Sequence, residues 1–429
     1  MAMTSHHAPE SGPRRFKPYP VYKDSGVEWL GEIPAHWDPL KLKRVCTFAY
    51  GDSLASEARV DGDVEVYGSN GLVGSHERAN TLAPCLVIGR KGSFGKVNFS
   101  PRPVFAIDTT FFVDRRFTRA DIRWFYYVLT NARLDSATKD SAIPGLDRED
   151  AYVRDVCLCS PDEQRAIAAF LDRETARLDA LVAKKERLIE LLQEKRTALI
   201  TRAVTKGLDP TVPMKDSGVE WLGEIPAAWG LKRLKRIVQF RGGGTPTKDN
   251  LEYWCGEIPW VSPKDMKVSV VLDTEDKITA QAVHDSATKP VPAGVVLLVV
   301  RSGILARSIP VALTGREVTL NQDLKALVPS HELVPEYLMY LISGMQRELL
   351  VEWKKEGATV ESLELELVAN TPTPLPATAE QRAIAAFLDR ETARIDALVA
   401  KVRDAIDRLR ELRTALISAA VTGKIDVRE

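Results

Sequence analysis

Two glycine-rich loops carry side chains suited to contacting a ligand in this 429-residue chain. They read GRKGSFGKV at residues 89–97 and RGGGTPTKDN at residues 241–250. Neither matches a nucleotide-binding loop: Val97 stands where a P-loop has the Ser or Thr that binds magnesium, and the triple glycine does not fit the strand-to-helix turn of a dinucleotide site. Glycine-rich basic loops suit phosphate binding, but these two do not have the pattern of a nucleotide site.

The residue types of these loops and their neighbours suit DNA. Glycine NH groups can approach phosphate, Arg and Lys pair with phosphate or guanine, and Ser, Thr, Asn and Gln reach base edges. The predicted DNA-contacting residues are Ser69, Asn70, Arg90, Lys91, Ser93, Lys96, Thr245, Thr247, Lys248, Lys264, Arg301, Ser302 and Arg307. The alternative for each residue is that it serves only the geometry of its turn or the solubility of the chain.

The sequence gives little support for catalysis. Six histidines form no persuasive triad or metal cluster, and no methyltransferase cofactor loop or Asn-Pro-Pro-aromatic tetrapeptide is visible. The five cysteines are an odd number, and Cys157 and Cys159 alternate along a strand-like segment, which favours buried thiols over ligands. We therefore expect a non-catalytic chain with no cofactor and no metal.

Bulk composition sets the class of protein. The chain is 45% hydrophobic and carries 59 basic and 59 acidic residues, so it has the apolar mass to fold and a net charge of +0. Neutrality counts against nucleic-acid binding without excluding it, because the acidic residues could lie elsewhere or a partner could supply charge. The longest apolar run, residues 295–300, is too short for a membrane span, and the first residues do not resemble a signal peptide. We expect a cytoplasmic protein.

The elements that position the loops occur twice. KDSGVEWLGEIPxxW is found at residues 23–37 and 215–229, and QRAIAAFLDRETARxDALVAK at 164–184 and 381–401. The stretches between these blocks are almost unrelated in sequence. Since the continuation missing after the second copy stands at the N-terminus, the repeat predicts that the two chain ends lie close together. The repeated tryptophans are expected to pack the inserts against the helices, with partner anchoring as the alternative.

The second repeated block predicts two long helices. Ser160 and Pro161 form a start signal, Thr378 fits a shifted capping box, and Gly207 and Gly423 are expected stops. Leucine-rich heptads predict an antiparallel coiled coil with a pseudo-two-fold axis. The predicted seam residues are Leu171, Leu178, Leu181, Leu188, Leu192, Leu199, Leu388, Ile395, Leu398, Val402, Leu409, Leu412 and Leu416. The outer helix faces either dock another protein or are simply solvated.

Taken together, these blocks resemble the specificity subunit of type I restriction–modification systems over nearly the whole chain. The first insert contributes IGRKGSFGKV and FAIDTTFFV, and the second GGGTPTKDN, YWCGEIPWVSPKDM and VTLNQDLKAL. The resemblance implies two α/β (α+β) target-recognition domains, each reading one half of a bipartite DNA site. It implies helices that set the spacer and dock two methyltransferase subunits, and nuclease/translocase subunits through them, with S-adenosylmethionine held by the methyltransferase.

The expected organisation follows the repeat. It comprises a flexible tail at 1–20, a first target-recognition domain at 21–159, a helical region at 160–209, a second target-recognition domain at 210–376 and a helical region at 377–429. Adding about one helical turn to a rod should then change the spacer length. The competing functions are a coiled-coil protein-interaction scaffold without base readout and a self-sufficient nuclease or methyltransferase.

Overall fold

The structure is a computed structural model that describes residues 16–135, 145–355, 357 and 360–428. Residues 1–15 of the predicted tail lie outside the described residues. The rest of that tail is not a loose extension: Tyr19 is buried, and the Phe16 ring meets the Phe170 ring edge-on at 5.4 Å. The prediction of a tail up to residue 20 is therefore wrong at its C-terminal end, where aromatic side chains join the core.

Two of the α-helices are far longer than the others. In chain order the helices are α1 Ile122–Asn131, α2 Arg148–Tyr152, α3 Pro161–Lys206, α4 Ala280–Asp285, α5 Pro335–Gly344, α6 Gln346–Trp353, α7 Leu365–Asn370 and α8 Thr378–Val421. Within the described residues, no helix combines the length and apolar character needed to cross a membrane.

The helix ends follow the start and stop signals closely. The Ser160 hydroxyl donates to Oε2 of Glu163 at 3.0 Å, and Pro161 begins α3. Gly207 and Gly423 have φ angles of +75° and +73°, which suit glycine beyond a helix end. The second start differs from the expected capping box, because Thr378 is already helical and Glu380 accepts from the Trp229 indole instead.

The described chain divides into two compact units. The first contains residues up to Glu186 and those from Asp404 onward, and the second contains Arg187–Arg403. Each unit therefore includes one part of α3, one part of α8 and one mixed α/β region. This division agrees with the two-fold repeat in the sequence.

The first unit is built on a four-stranded sheet of order β4-β10-β7-β8 and a three-stranded sheet of order β6-β5-β9. Two further antiparallel pairs are β1-β2 and β11-β3. The strands are β1 Tyr22–Asp24, β2 Glu32–Pro34, β3 Asp38–Lys41, β4 Ala49–Tyr50, β5 Val64–Gly68, β6 Gly71–His76, β7 Cys85–Gly89, β8 Val97–Ser100, β9 Phe105–Ala106, β10 Thr110–Val113 and β11 Asp155–Leu158. All five residues of β7 are buried, so it forms the centre of this core.

The second unit has a five-stranded sheet of order β15-β22-β19-β20-β17 and a three-stranded sheet of order β18-β16-β21. The pairs β12-β13 and β14-β23 repeat the outer pairs of the first unit. The strands are β12 Met214–Asp216, β13 Glu224–Pro226, β14 Gly230–Arg233, β15 Val238–Gly242, β16 Ile258–Val261, β17 Val270–Val271, β18 Lys277–Ile278, β19 Val296–Val299, β20 Val311–Thr314, β21 Thr319–Leu320, β22 Leu324–Pro329 and β23 Pro372–Leu375. Mixed helix and sheet in each unit agree with the predicted α/β class.

Parts of α3 and α8 pack antiparallel within each unit. In the first unit Arg413 pairs with Asp179 at 3.0 Å and Arg410 with Glu186 at 3.0 Å, so numbering falls along one helix as it rises along the other. In the second unit Arg196 pairs with Asp396 at 3.3 Å. These ion pairs flank the apolar contact between the helices.

The apolar seam is narrower than the heptads predict. Leu171, Leu178, Leu388, Ile395 and Leu416 are buried. Leu192, Leu199, Val402 and Leu409 are half-buried. Leu181, Leu188, Leu398 and Leu412 are 38–51% exposed, which corrects their assignment to the seam. Two helices cover only a strip of each other, so the second heptad row, which contains these four leucines, stays open to solvent.

The described residues nearest the two chain ends meet in the first unit. Lys17 and Asp426 form an antiparallel bridge, and the Tyr22 hydroxyl donates to the Gly423 carbonyl oxygen at 3.1 Å. The Lys424 ammonium group donates to the Leu30 carbonyl oxygen at 2.8 Å. The prediction that the ends lie together is confirmed for these residues.

The repeated tryptophan block packs mainly inward. Trp37 and Trp229 are 0% and 2% exposed, and their indole NH groups donate to Oε1 of Glu163 and Oε1 of Glu380 at 3.3 and 3.1 Å. Trp29, in contrast, is 55% exposed. The expected packing role therefore holds for the second tryptophan of each block.

Candidate nucleic-acid interface

In the first unit, one backbone carbonyl gathers the predicted contact residues. The Thr109 oxygen accepts from the Ser69 hydroxyl at 2.7 Å and from the Arg90 and Lys91 NH groups at 2.9 and 3.2 Å. Thr109 lies in the turn between β9 and β10, where the sequence reads as one continuous strand, FAIDTTFFV. This turn brings the Ser69–Asn70 hairpin and the glycine-rich loop to the same end of the sheets.

The hairpin and the glycine-rich loop also bind each other directly. The Lys96 ammonium donates to the Asn70 carbonyl oxygen at 2.6 Å, and the Gly89 NH donates to the Lys96 carbonyl oxygen at 2.8 Å. A Cβ on Gly89 would stand 2.2 Å from the Ser93 oxygen and 2.9 Å from the Ser69 oxygen. Glycine is thus required at position 89, where the glycine-rich loop passes close to the hairpin. We call residues 69–70, 89–96 and 108–109 the first loop cluster.

Arg90 is held over aromatic rings at the first loop cluster. Its guanidinium carbon lies 4.9 Å from the Tyr50 ring centre, and its NH1 group donates to the Asp108 carbonyl oxygen at 3.1 Å. Lys91 and Ser93 are exposed, and their side chains make no hydrogen bond or ion pair to the described residues. The cluster therefore presents one braced cation and open polar groups.

The second unit has a corresponding crossing around its triple glycine. A Cβ on Gly243 would stand 2.1 Å from the Asn321 oxygen, and the Gly244 NH donates to the Leu320 oxygen at 2.9 Å. The Thr245 hydroxyl is hydrogen-bonded to Oε1 of Gln322. The Arg301 NH donates to the Asp323 oxygen at 3.3 Å. We call residues 243–248, 301–302 and 321–323 the second loop cluster.

The two clusters occupy equivalent places in their units. β5 pairs with β9 in parallel, and β16 pairs with β21 in parallel. The turn that follows β9 supplies Asp108 and Thr109, and the turn that follows β21 supplies Gln322 and Asp323. Equivalent scaffolds with different loop side chains are what two readers of different sequences require.

Two exposed residues in these turns were missed by sequence reasoning. Asp108 and Gln322 lie at the centres of the two clusters, and both are exposed. Their signal is a strand-like run interrupted by polar residues, FAIDTT and VTLNQD. The interruption could have marked a turn, but the backbone contacts that place it beside Arg90 or Thr245 are distant in sequence.

The remaining predicted residues of the second unit differ in availability. Lys264 is held by Glu275 at 3.2 Å and Asp276 at 2.9 Å, and its hydrogen bond to Asp276 raises its pKa. Ser302 accepts from the Ile304 NH at 3.5 Å, which is a capping role. The Thr247 carbonyl oxygen accepts from the Trp254 indole at 3.2 Å.

Three exposed cations of the second unit are open to a ligand. Lys248, Arg301 and Arg307 are exposed, and their side chains make no hydrogen bond or ion pair to the described residues. Since a phosphate contact needs an accessible positive charge, these three fit the role better than Lys264 does.

Buried glutamines attach each α/β region to its long helix. Gln164 donates from Nε2 to the Cys159 oxygen at 2.8 Å and accepts from the Asp121 NH at 2.8 Å. Gln381 accepts from the Val334 NH at 2.8 Å and donates to the Pro376 oxygen at 2.9 Å. These bonds repeat in both units and fix the position of each loop cluster relative to its own helix segment.

Glu163 adds a charged anchor beside the first of these glutamines. Burial opposes its ionisation, but hydrogen bonds from His36, Trp37 and Ser160 prevail and lower the pKa of its carboxyl group. The carboxylate therefore stays charged at neutral pH and binds the Trp37 indole.

Comparison with known proteins relates this arrangement to a protein family. Residues 226–408 match the family model described as "Type I restriction modification DNA specificity domain". The type I restriction enzyme EcoR124I/EcoR124II specificity subunit of Escherichia coli is 34% identical over 258 residues, covering 60% of this chain and 58% of the relative. The type I restriction enzyme MjaIX specificity subunit of Methanocaldococcus jannaschii is 32% identical over 170 residues, 39% of this chain and 38% of the relative. The chain thus matches less than two thirds of the length of these relatives.

Solved structures share the fold over most of the chain. A chain from a structural study of complex assembly and conformational transition of the type I R-M system has a TM-score of 0.68 at 17% identity, covering 91% of this chain and 98% of that chain. The HsdS subunit from Thermoanaerobacter tengcongensis has a TM-score of 0.52 at 17% identity, with 92% and 98% covered. The resemblance of the sequence to type I specificity subunits is confirmed by the family model and by the relatives that match it.

Proposed function

We propose that this chain, which is related to the specificity subunits of type I restriction enzymes, selects the DNA sequence on which such a complex acts. The observation that carries the proposal is the pair of loop clusters on equivalent parallel strand pairs. The strand pairs beneath the two clusters correspond, but their loop side chains differ. The first cluster presents Arg90 and Asp108, and the second presents Thr245 and Gln322. Each cluster would read one half of a bipartite site.

The target-recognition domains would be residues 21–159 and 210–376, joined to helical regions at 160–209 and 377–429. Side chains of Arg, Asn, Thr and Gln can distinguish base edges, while the open cations would contact phosphate. Net neutrality limits phosphate contacts from the chain alone, which fits a reader that shares its DNA with basic partner subunits.

The helices would set the spacer and dock two methyltransferase subunits, and nuclease/translocase subunits through them. Leu181 and Leu412 expose apolar surface in the first unit, and Leu188 and Leu398 do so in the second. Exposed leucines on neighbouring helices suit the packing of a partner helix. In this proposal the chain itself is non-catalytic, takes no cofactor and acts in the cytoplasm.

Methylation mapping tests the proposal. Genomic DNA would be sequenced for methylated bases in a host that carries the matching methyltransferase subunit, with and without this chain. We expect one bipartite motif to disappear when the chain is deleted, which would also give both half-sites and the spacer. Unchanged methylation, with the methyltransferase shown to be active, would contradict sequence selection and favour a protein-interaction scaffold.

A domain exchange tests the modular reading. Replacing residues 231–376 with the equivalent domain of another specificity subunit should change only one half of the methylated motif. A change in both halves would contradict separate reading by the two domains. Methyl transfer by the purified chain alone would contradict its non-catalytic role.

A further inference from the structure

A cleft of about 580 Å³ in the first unit collects positive charge away from the loop cluster. Its basic lining residues are Lys43, Arg44, Arg115, Arg116 and Arg119, and none of its lining residues is acidic. The lining also includes Pro161 and Gln164 at the start of α3. In a chain of net charge +0, five cations around one cleft are a marked concentration.

Strand direction places this basic cleft at the far end of the four-stranded sheet. β10 begins beside Thr109 in the first loop cluster and ends at Val113, just before Arg115. β4 runs antiparallel to β10, with Thr47 on the cleft side and Gly51 on the cluster side. Five residues at about 3.4 Å each separate Thr109 from Asp114 by about 17 Å.

Most of the cationic groups are free to bind. Arg116 is committed, because its guanidinium binds the fully buried Asp114 carboxylate at 2.5 Å. Lys43, Arg44, Arg115 and Arg119 are exposed, and they form no ion pair with any described residue. Four like charges kept close together without counter-charges favour an anionic occupant.

The second unit repeats part of the lining of this cleft but not all of its positive charge. The turn Leu42–Arg44 is repeated as Leu234–Arg236, with Lys235 and Arg236 exposed. The facing segment changes from RRFTRA at 115–120 to a stretch that contains Glu332, and Glu332 binds Lys232. A phosphate contact needed for both half-sites would be expected in both units. Because Arg115 and Arg119 have no Arg or Lys counterpart in the stretch around Glu332, the charge of this cleft fits a partner that binds once.

We propose that this cleft binds an acidic peptide segment of a partner protein. The choice of a peptide over DNA rests on the proposed function, because that function assigns DNA to the opposite end of the four-stranded sheet. Duplex DNA is stiff over about 150 base pairs, so it does not fold around a domain to meet both ends. The cleft volume lies within the usual range for bound ligands, about 300–1,000 Å³.

The test measures binding of a fluorescein-labelled deca-glutamate peptide to the full chain by fluorescence anisotropy at physiological salt. The triple variant K43E/R115E/R119E should bind the peptide at least about tenfold more weakly, since it replaces attraction by repulsion. The matched variant K235E/R236E changes the repeated turn of the second unit and should bind within about twofold of the unmodified chain. Circular dichroism spectra and melting curves establish that each variant folds.

The milder variant K43Q/R115Q/R119Q removes charge without repulsion and should give an intermediate loss, so the comparison survives if the glutamate variant fails to fold. Equal peptide binding by the unmodified chain and the glutamine variant would overturn the proposal. So would weaker binding of a 20-base-pair duplex of unrelated sequence with no change for the peptide, which would assign the cleft to DNA. Because the peptide assay needs neither methyltransferase nor a cognate site, its result is independent of methylation mapping.

Discussion

The phenolic hydroxyl of Tyr340 donates a 2.6 Å hydrogen bond to Oδ1 of Asp389. Tyr127 makes the equivalent bond to Asp172 in the first unit, at 2.7 Å. Both aspartates occupy the same position of the repeated block, LDRETAR, whereas the tyrosines lie on α1 and α5 in the divergent inserts. The repeated helix sequence is therefore an attachment surface for different α/β regions as well as a source of helix pairing.

Removing this hydroxyl should weaken the attachment. We expect Tyr340→Phe to lower the unfolding free energy by about 1–2 kcal/mol, because the bond has a charged acceptor in a partly buried place. Tyr127→Phe should behave alike. Urea unfolding followed by circular dichroism measures the change, with Tyr253→Phe as control, since the bond from Tyr253 to Asp285 is exposed. Equal stability of Tyr340→Phe and the control would contradict an anchoring role.

The same tyrosines predict a loss of stability in alkali. Burial, followed by the hydrogen bond to aspartate, raises the pKa of Tyr340 from 10.0 to about 12, and burial likewise raises that of Tyr127 to about 12. The folded state holds these protons more tightly, so their contribution is complete below pH 10 and is lost as the pH rises toward 12. Between pH 9 and about 12, the unfolding free energy should therefore fall less steeply with pH for the Tyr127→Phe/Tyr340→Phe double variant than for the unmodified chain. An unchanged slope would contradict the assignment.

The helices were largely predictable because their signals are local. Pro161, Gly207 and Gly423 mark ends that depend only on neighbouring residues. The width of the apolar seam was not predictable, because Leu181 and Leu412 fit a heptad whether or not a second partner covers them. Their exposure depends on how many helices meet, which periodicity does not state.

The loop clusters were predictable in part for a related reason. Glycine and cationic residues identified both loops, but Lys264 is neutralised by Glu275 and Asp276 from a neighbouring segment. Asp108 and Gln322 were missed because the turns that present them interrupt runs that read as continuous strand. Such contacts join residues far apart in sequence, and residue type alone does not reveal them.

Gly243 should be indispensable for the second loop cluster. An added Cβ would stand 2.1 Å from the Asn321 backbone oxygen, so Gly243→Ala must displace the turn that holds Gln322. Overpacking of this kind costs about 1–3 kcal/mol, and we expect about a tenfold loss of affinity for the cognate site. Gel-shift titration of the chain with its methyltransferase subunit measures this loss.

The matched control for that substitution is Gly230→Ala. Its Cβ would stand 3.7 Å from the Leu375 oxygen, which is ordinary contact, and affinity should be unchanged. Gly51→Ala tests the first unit in the same way, since its Cβ would stand 2.1 Å from the Ile107 oxygen. Wild-type affinity for Gly243→Ala would show that the second loop cluster does not contact DNA.

Lys248 and Lys264 should differ in the salt dependence of DNA binding. Lys248 is exposed with no ion pair to any described residue, whereas Lys264 lies between two carboxylates. Each phosphate contact contributes about 0.9 to the slope of log affinity against log salt concentration. Lys248→Ala should therefore reduce the slope by about 0.9, and Lys264→Ala should leave it unchanged. Titrations of the assembled complex between about 50 and 200 mM salt resolve the difference. An equal reduction of the slope for both variants would show that Lys264 exchanges its carboxylate partners for phosphate on binding.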